Sequence, residues 1–580
     1  MRLTISALAI AVSLTACNEV KPIEATLELV DRHASGLFDE GAAEIVAFHA
    51  ASGSAFVTNA NDGTLDQIDL SNLPSEASLT PYSVANLKSS SLPLPETVTF
   101  TSGETMQVGG ANSVAIASNL MAVAVQAKIK QDAGAVLFYS LDQTGTPVFL
   151  KAVKAGALPD MVTFSPNGKL VLVANEGEPN DNYTIDPEGS ISIVEVRNNL
   201  PADTATQLTF AEFNDTLPNG VLVGNNPAPE STTHAQDFEP EYITVSKDNK
   251  WAFVSLQENN AIAKIKLTGD YEITDVYGLG FKDHSQESNA LDADKDDKIA
   301  LLKTHANLFG RYQPDSIASY SVNNKQYIVT ANEGDAREYI DDRIAEADCN
   351  AAAQNDMRSN TTYLWDDACI VYKDEWKIKD LNDSSAPHAT ASFSNATSAL
   401  LNDVEDLAVS PDLGYNASAN RYDSLYSFGA RSFSIFSDTG ELVFDSGSDF
   451  ERITAEAYPE FFNTTDNKTK LDDRSDNKGP EPEALTLAYV EGHTLAIIGL
   501  ERMGGLMMYD ITDPENVEFL QYVNHRDYTA DPESPAAGDL APEGMAFVAA
   551  QESPNGKPLV LVANEVSGTL AVYQLNVTVK

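Results

Sequence analysis

Leu158-Pro-Asp-Met-Val-Thr-Phe-Ser-Pro-Asn-Gly168, followed after one residue by Leu170-Val-Leu-Val-Ala-Asn-Glu-Gly177, sets the pattern of the chain. An acid follows proline at the start of a short apolar run. A turn reverses the chain, and a second apolar run ends in Asn-Glu. The unit returns as Ala541-Pro-Glu-Gly-Met-Ala-Phe-Val548 and Leu559-Val-Leu-Val-Ala-Asn-Glu565, and other copies begin near Glu44, Asn112, Glu241, Asp315, Glu405 and Glu483. Val/Ile/Leu-rich runs this short, bounded by Ser-Pro-Asn-Gly or Lys-Asp-Asn, read as strands and hairpins, and helical periodicity is nearly absent. The units are roughly 65–70 residues long against about 40–45 for ordinary propeller repeats, so the excess sits in long inter-strand loops. The expected fold is all-β: a β-propeller with WD40/YVTN-like repeats, eight blades being slightly preferred to seven. Separate β-sandwiches would supply the strands without explaining why an acid opens each unit.

Composition narrows the function. The 580 residues carry 37 Lys+Arg against 86 Asp+Glu, a formal net charge of −49. Such a surface repels phosphate backbones, which argues against a nucleic-acid partner. With 43% hydrophobic residues the chain has ample material for a buried core, and it is not an acidic disordered tail.

The first seventeen residues read as a processing signal. Arg2 precedes an apolar run from Leu3 to Ala16, too short to span a bilayer, and Leu14-Thr15-Ala16-Cys17 resembles a lipobox. Lipidation of Cys17 would anchor the chain to a membrane, and Asn18 at the next position favours the outer one, facing the periplasm or the cell surface. The expected organisation is a signal over 1–17, a short tether over 18–28, and one propeller over 29–580 with a loop insertion at about 340–400. A monomer is expected. In an oxidising compartment, Cys349 and Cys369 are expected to form a disulfide, since they lack the CxxC and His pairs of a zinc site.

The C-terminal half adds more specific matches. Leu425-Tyr-Ser-Phe-Gly-Ala-Arg-Ser-Phe-Ser-Ile-Phe436, Leu471-Asp-Asp-Arg-Ser-Asp-Asn-Lys-Gly-Pro-Glu-Pro-Glu-Ala484, Gly499-Leu-Glu-Arg-Met-Gly-Gly-Leu-Met-Met-Tyr-Asp510 and Asp539-Leu-Ala-Pro-Glu-Gly-Met545 are the clearest. Together they resemble the choice-of-anchor I family, bacterial extracytoplasmic propellers often labelled alkaline-phosphatase-like. The resemblance runs from about Leu29 to Tyr573 and implies a fold and a compartment, without a settled activity.

The residues that could carry chemistry are mostly carboxylates. Asp160, Glu241, Asp315, Glu405, Glu483 and Glu543 open their units, so in a propeller they would ring the central channel. Crowded carboxylates must either gain protons or hold a cation, and oxygen-only ligands favour Ca²⁺, with Mg²⁺ second. Alternatively each acid caps its own blade through backbone N–H groups. A second set, Glu176, Glu258, Glu333, Glu501 and Glu565, follows the second strands. Arg337, Arg431, Arg474 and Arg502 accompany these acids, either as salt bridges or as clamps for an anionic ligand. Asp292, Asp294 and Asp296 match positions 1, 3 and 5 of an EF-hand-like loop, which departs from the motif at Asp297 and Lys303. That stretch is either a calcium loop with a remote final ligand or a solvated turn.

No Gly-x-Ser-x-Gly elbow, His-Glu-x-x-His or Walker loop is present. The preferred reading is a lipid-anchored, calcium-binding propeller acting as a surface ligand-binding or adhesion module. The alternative is a metal-dependent phosphoesterase of alkaline-phosphatase or phytase type, with Glu483, Glu543, Arg474 and Arg502 as the candidate catalytic residues.

Overall fold

A computed structural model describes residues 21–74, 84–224, 233–355 and 364–580. The lipobox and Cys17 lie outside these residues. Among them are eight sheets of four or more strands; seven form a ring, and the eighth joins the linker strands Phe281–Asp283 and Leu308–Arg311 to strands of an insertion. The innermost strands are Val46–His49, Thr105–Ala117, Pro159–Phe164, Pro240–Val245, Ile317–Val322, Pro482–Val490 and Pro542–Val548, which we number as blades 1 to 7. Each lies beside the next, and the seventh returns to the first.

Packing gives the same number independently. A sheet with two apolar faces must bury both, and here every interface between successive blades has its own core. Phe56 and Leu137 represent blades 1 and 2, Phe138 and Val173 blades 2 and 3, Leu172 and Val254 blades 3 and 4. Phe253 and Ile328, then Phe433 and Ile498, then Ile497 and Val562, then Leu561 and Val57 complete the circle.

The expectation of eight blades is therefore corrected to seven. Glu405 is exposed and belongs to an insertion, so its unit imitates the sequence pattern without forming a blade. The insertion leaves blade 5 after Lys325–Asn332 and returns at Ser432–Ser437, which pair in register from Asn332 with Ser432. It is a folded body. Its core gathers Trp376, Leu400, Tyr422 and Leu425 with Leu291 and Leu308 of the linker between blades 4 and 5.

The ring is closed between its two ends. Ile23–Ala34 pairs antiparallel with Thr569–Val579 as the outer strand of blade 7. Arg32 and Asp539 form a buried ion pair at 2.6 Å in the same blade. Such closure fastens the two ends of the chain together in one blade, with Ile23–Ala34 as its edge strand.

Cys349 and Cys369 are joined within the insertion, with Cα atoms 5.7 Å apart. The bridge ties the helix Glu346–Asn355 to the strand Ala368–Lys373. Closing a loop of this size stabilises by about 3 kcal/mol on a chain-entropy basis. Cys369→Ser should lower insertion stability by that order, read as faster proteolysis of the insertion. Unreduced peptide mapping should show the two cysteines linked, and alkylatable thiols at both would refute the bridge.

Candidate functional site at the channel mouth

Local backbone explains why the acids face the axis. In blades 3, 4, 6 and 7 the pairing register slips between Pro159 and Val162, Pro240 and Ile243, Pro482 and Leu485, and Pro542 and Gly544. Each slip contains or adjoins the acid, and a bulge of this kind re-aims a side chain. Proline lacks the N–H that a regular ladder would need there. The residue before it is left-handed at Leu158 (φ 47°), Gln313 (45°), Glu481 (51°) and Ala541 (58°). Non-glycine residues in that region cost about 1 kcal/mol or more each, and such strain gathers at functional sites.

The strained residue also brings the two acid sets together. Its carbonyl accepts the backbone N–H of Glu176 at Leu158, of Glu501 at Glu481 and of Glu565 at Ala541, at 2.8–2.9 Å. Asp160, Glu241, Asp315, Glu483 and Glu543 thus line one cavity of about 220 Å³ with Glu176 and Glu333. Glu44 supplies the acid of blade 1, where its charge interacts with Asp160 and Glu565. Blade 2 contributes Asn112 instead, and its Nδ2 donates to the carbonyl of Pro159 at 2.9 Å. Asn112 thus ties blade 2 to blade 3 and is no example of an acid capping its own blade. Glu241 and Glu543 each keep one buried carboxylate oxygen without a hydrogen-bond partner.

Electrostatics follow from this crowding. Burial, reinforced by Glu565 and Asp160, pushes Glu44 up to about 8. Burial and Glu178 raise Asp160 to about 7. Glu241, Glu483 and Glu543 are held well above the carboxylate range by burial first and neighbouring carboxylates second. Without a counter-charge, burial and mutual repulsion favour the protonated forms around the ring.

One side of the mouth differs. Asp315, Glu333 and Glu483 bring one oxygen each within 4.8 Å of one another, and Glu333, Glu481 and Glu501 form a second such group. Behind them stand three cations. Lys478 Nζ lies 3.2 Å from Glu333 and 3.3 Å from Glu481. Arg474 Nε and Arg502 Nε donate to the two oxygens of Glu481 at 2.9 and 3.1 Å. Arg502 also pairs with Glu501 at 3.0 Å and with Asp466. Burial favours the neutral form of Glu481, yet these cations together pull it below the usual range.

The four arginines singled out in the sequence are thus committed to ion pairs or backbone carbonyls. Arg337 holds Glu239 at 2.8 Å, and Arg431 holds Glu451 at 2.8 Å. Asp292, Asp294 and Asp296 stand apart from the ring. They lie in the linker between blades 4 and 5, where Asp292 accepts the N–H groups of Asp294 and Leu301, and Asp294 that of Asp296. Lys478 and Glu481 escaped sequence reading. Pro480-Glu-Pro-Glu483 offers two Pro-Glu steps, and only the second enters the ring.

A family model described as "Choice-of-anchor I domain" matches residues 44–514. The chain belongs to the choice-of-anchor I domain family. Gigasin-3a of Magallana gigas is similar, at 31% identity over 169 residues, 27% of this chain and 58% of that protein. The mesenchyme-specific cell surface glycoprotein of Strongylocentrotus purpuratus is 26% identical over 301 residues, 49% of this chain and 36% of its own length. The chain therefore spans less than two thirds of either relative. Among solved structures, a streptogramin B lyase superposes with a TM-score of 0.40 at 11% identity, covering 96% of this chain and 98% of that one. Kuenenia stuttgartiensis hydrazine synthase gives 0.39 at 9%, covering 92% and 96%. This choice-of-anchor I chain is an extracytoplasmic propeller module, and no helix among the described residues is long and apolar enough to cross a membrane.

Proposed function

We propose that this choice-of-anchor I propeller is tethered to the outer membrane through lipidated Cys17 and acts as a surface ligand-binding module whose channel mouth holds Ca²⁺. The carrying observation is the convergence of Asp315, Glu333 and Glu483 on one point within an acid-lined cavity. Oxygen donors without His or Cys suit a hard cation, and an irregular set of carboxylates suits Ca²⁺ better than octahedral Mg²⁺. A cation there would neutralise the crowding and leave open coordination positions for an oxygen-bearing ligand. The Strongylocentrotus purpuratus relative is a cell surface glycoprotein, which supports the reading of a surface module. The phosphoesterase alternative loses support because Arg474 and Arg502 are engaged by Glu481 and so do not form a free anion clamp.

Glu483→Gln tests the site. In chelator the variant should melt higher than wild type, because it removes one crowded carboxyl. It should also lose most of the calcium-induced rise. An unchanged calcium response would exclude Glu483 as a ligand, and calcium-dependent hydrolysis of p-nitrophenyl phosphate would favour the esterase. For the anchor, Cys17→Ser should abolish labelling by a radioactive fatty acid; persistent labelling would remove that part of the reading.

A further inference from the structure

Two groups of converging carboxylates meet at the channel mouth, and Glu333 belongs to both. Asp315 and Glu483 join it on one side, Glu481 and Glu501 on the other. Carboxylate groups that share a bridging acid suit a pair of divalent cations about 4 Å apart, one ion to each group. The two groups here differ in what fills them.

The second group already contains a cation. Lys478 Nζ lies 3.2 Å from Glu333 Oε1, 3.3 Å from Glu481 Oε2 and 3.5 Å from Asp335 Oδ1. An ammonium has three N–H donors and no acceptor, so three carboxylates use its full capacity. Arg474 and Arg502 also reach Glu481, but a guanidinium is a planar fork, whereas the ammonium is a compact point charge and the nearer stand-in for a metal ion. Glu333 is held from its other side as well, where Oε2 accepts Gln257 Nε2 at 2.9 Å. An ion in the first group must therefore share Glu333 with Lys478.

We infer that Lys478 is the built-in cation of the second group, which restricts the mouth to one divalent ion, among Asp315, Glu333 and Glu483, and weakens the binding of that ion. The inference rests on the reading of the mouth as a calcium site. Charge accounts for both effects. The ammonium fills the position between Glu333 and Glu481 that a second ion would need. It also repels the first ion through the ligand they share, in a buried setting where water screens poorly. A tethered cation is not lost on dilution or chelation, so the second group keeps its counter-charge when calcium leaves. Calcium release then exposes Asp315 and Glu483 to their neighbours while Glu481 and Glu501 stay neutralised from behind.

Equilibrium dialysis of the full protein with ⁴⁵Ca²⁺ after chelation tests the assignment by count and by affinity. Lys478→Met removes the charge and leaves room beside Glu333. It should bind one equivalent more than wild type and hold the mouth's own ion about tenfold tighter or better. Glu483→Gln reports on the first group alone and should bind one equivalent fewer than wild type. If Glu483→Gln loses its equivalent while Lys478→Met keeps the wild-type count and affinity, the inference is wrong and the calcium reading of the mouth stands. If Glu483→Gln matches wild type and Lys478→Met gains nothing, both fall. Should Lys478→Met fail to fold, Lys478→Gln, which keeps a hydrogen-bond donor for Glu333, decides by the same count.

Discussion

Glu481→Gln should destabilise the protein by about 3 kcal/mol, more than any single surface ion-pair change. The side chain is fully buried and is approached by Lys478, Arg474 and Arg502, which are 10%, 21% and 26% exposed. Removing the shared acceptor strips three poorly hydrated cations of their common counter-charge, and breaking a buried pair typically costs about 3–5 kcal/mol. The lower end applies because Lys478 keeps Glu333 and Arg502 keeps Asp466 and Glu501. Urea unfolding at pH 7 measures the loss. Lys379→Ala, which removes the exposed partner of Asp406, provides the contrast and should cost under about 1 kcal/mol. A loss at Glu481 no greater than at Lys379 would mean that the cations are hydrated in the folded protein. The pH dependence carries a definite sign. Glu481 has a depressed folded value, so its stabilisation is present above the ordinary carboxylate value and fades as pH falls below it.

The propeller was legible because its determinants are local and repeated. Pro-acid steps mark inner strands at Asp160, Glu241, Asp315, Glu483 and Glu543, and Asn-Glu steps mark the ends of second strands. Blade number was less legible. Val404-Glu405-Asp406 places an acid ahead of an apolar run as the blade starts do, but it lacks their proline, and Val404 packs into the insertion core. The site was half legible for a related reason. A ring of acids follows from repetition, whereas the cation group around Glu481 joins residues whose proximity depends on how the segment 466–481 folds over blades 5 and 6. The left-handed residues before the prolines gave no warning either, since Leu158, Gln313 and Ala541 have no side-chain preference for that conformation. Strain of that kind becomes visible only in the backbone. It also bears on function: a chain that tolerates four such residues at one mouth is held there by its surroundings, and the acids they orient are held with them.

In chelator, stability should fall as pH rises from about 5 to 8, and calcium should abolish most of that fall. Glu44 and Asp160 are raised to about 8 and about 7, and burial with neighbouring carboxylates holds Glu241, Glu483 and Glu543 well above the ordinary carboxylate value. A carboxyl whose folded value exceeds its unfolded one binds protons more tightly when folded. Unfolding then releases protons between the two values, so stability decreases with rising pH across that interval. Each unit of such a shift corresponds to about 1.4 kcal/mol once the group is forced to ionise. Several groups act together here, so the fall should reach several kcal/mol, with coupling preventing a simple sum. Below about pH 4.5 the opposite dependence of Glu481 takes over, which places the metal-free optimum near pH 5. A divalent cation among Asp315, Glu333 and Glu483 reverses the argument by favouring the ionised forms, so added Ca²⁺ should move the optimum upward. Thermal unfolding at half-unit pH steps, with chelator and with millimolar Ca²⁺, measures both curves. Curves that rise in parallel from pH 5 to 8 would show the ring to be ionised and hydrated without a metal, and the reading of the mouth as a cation site would fail with it.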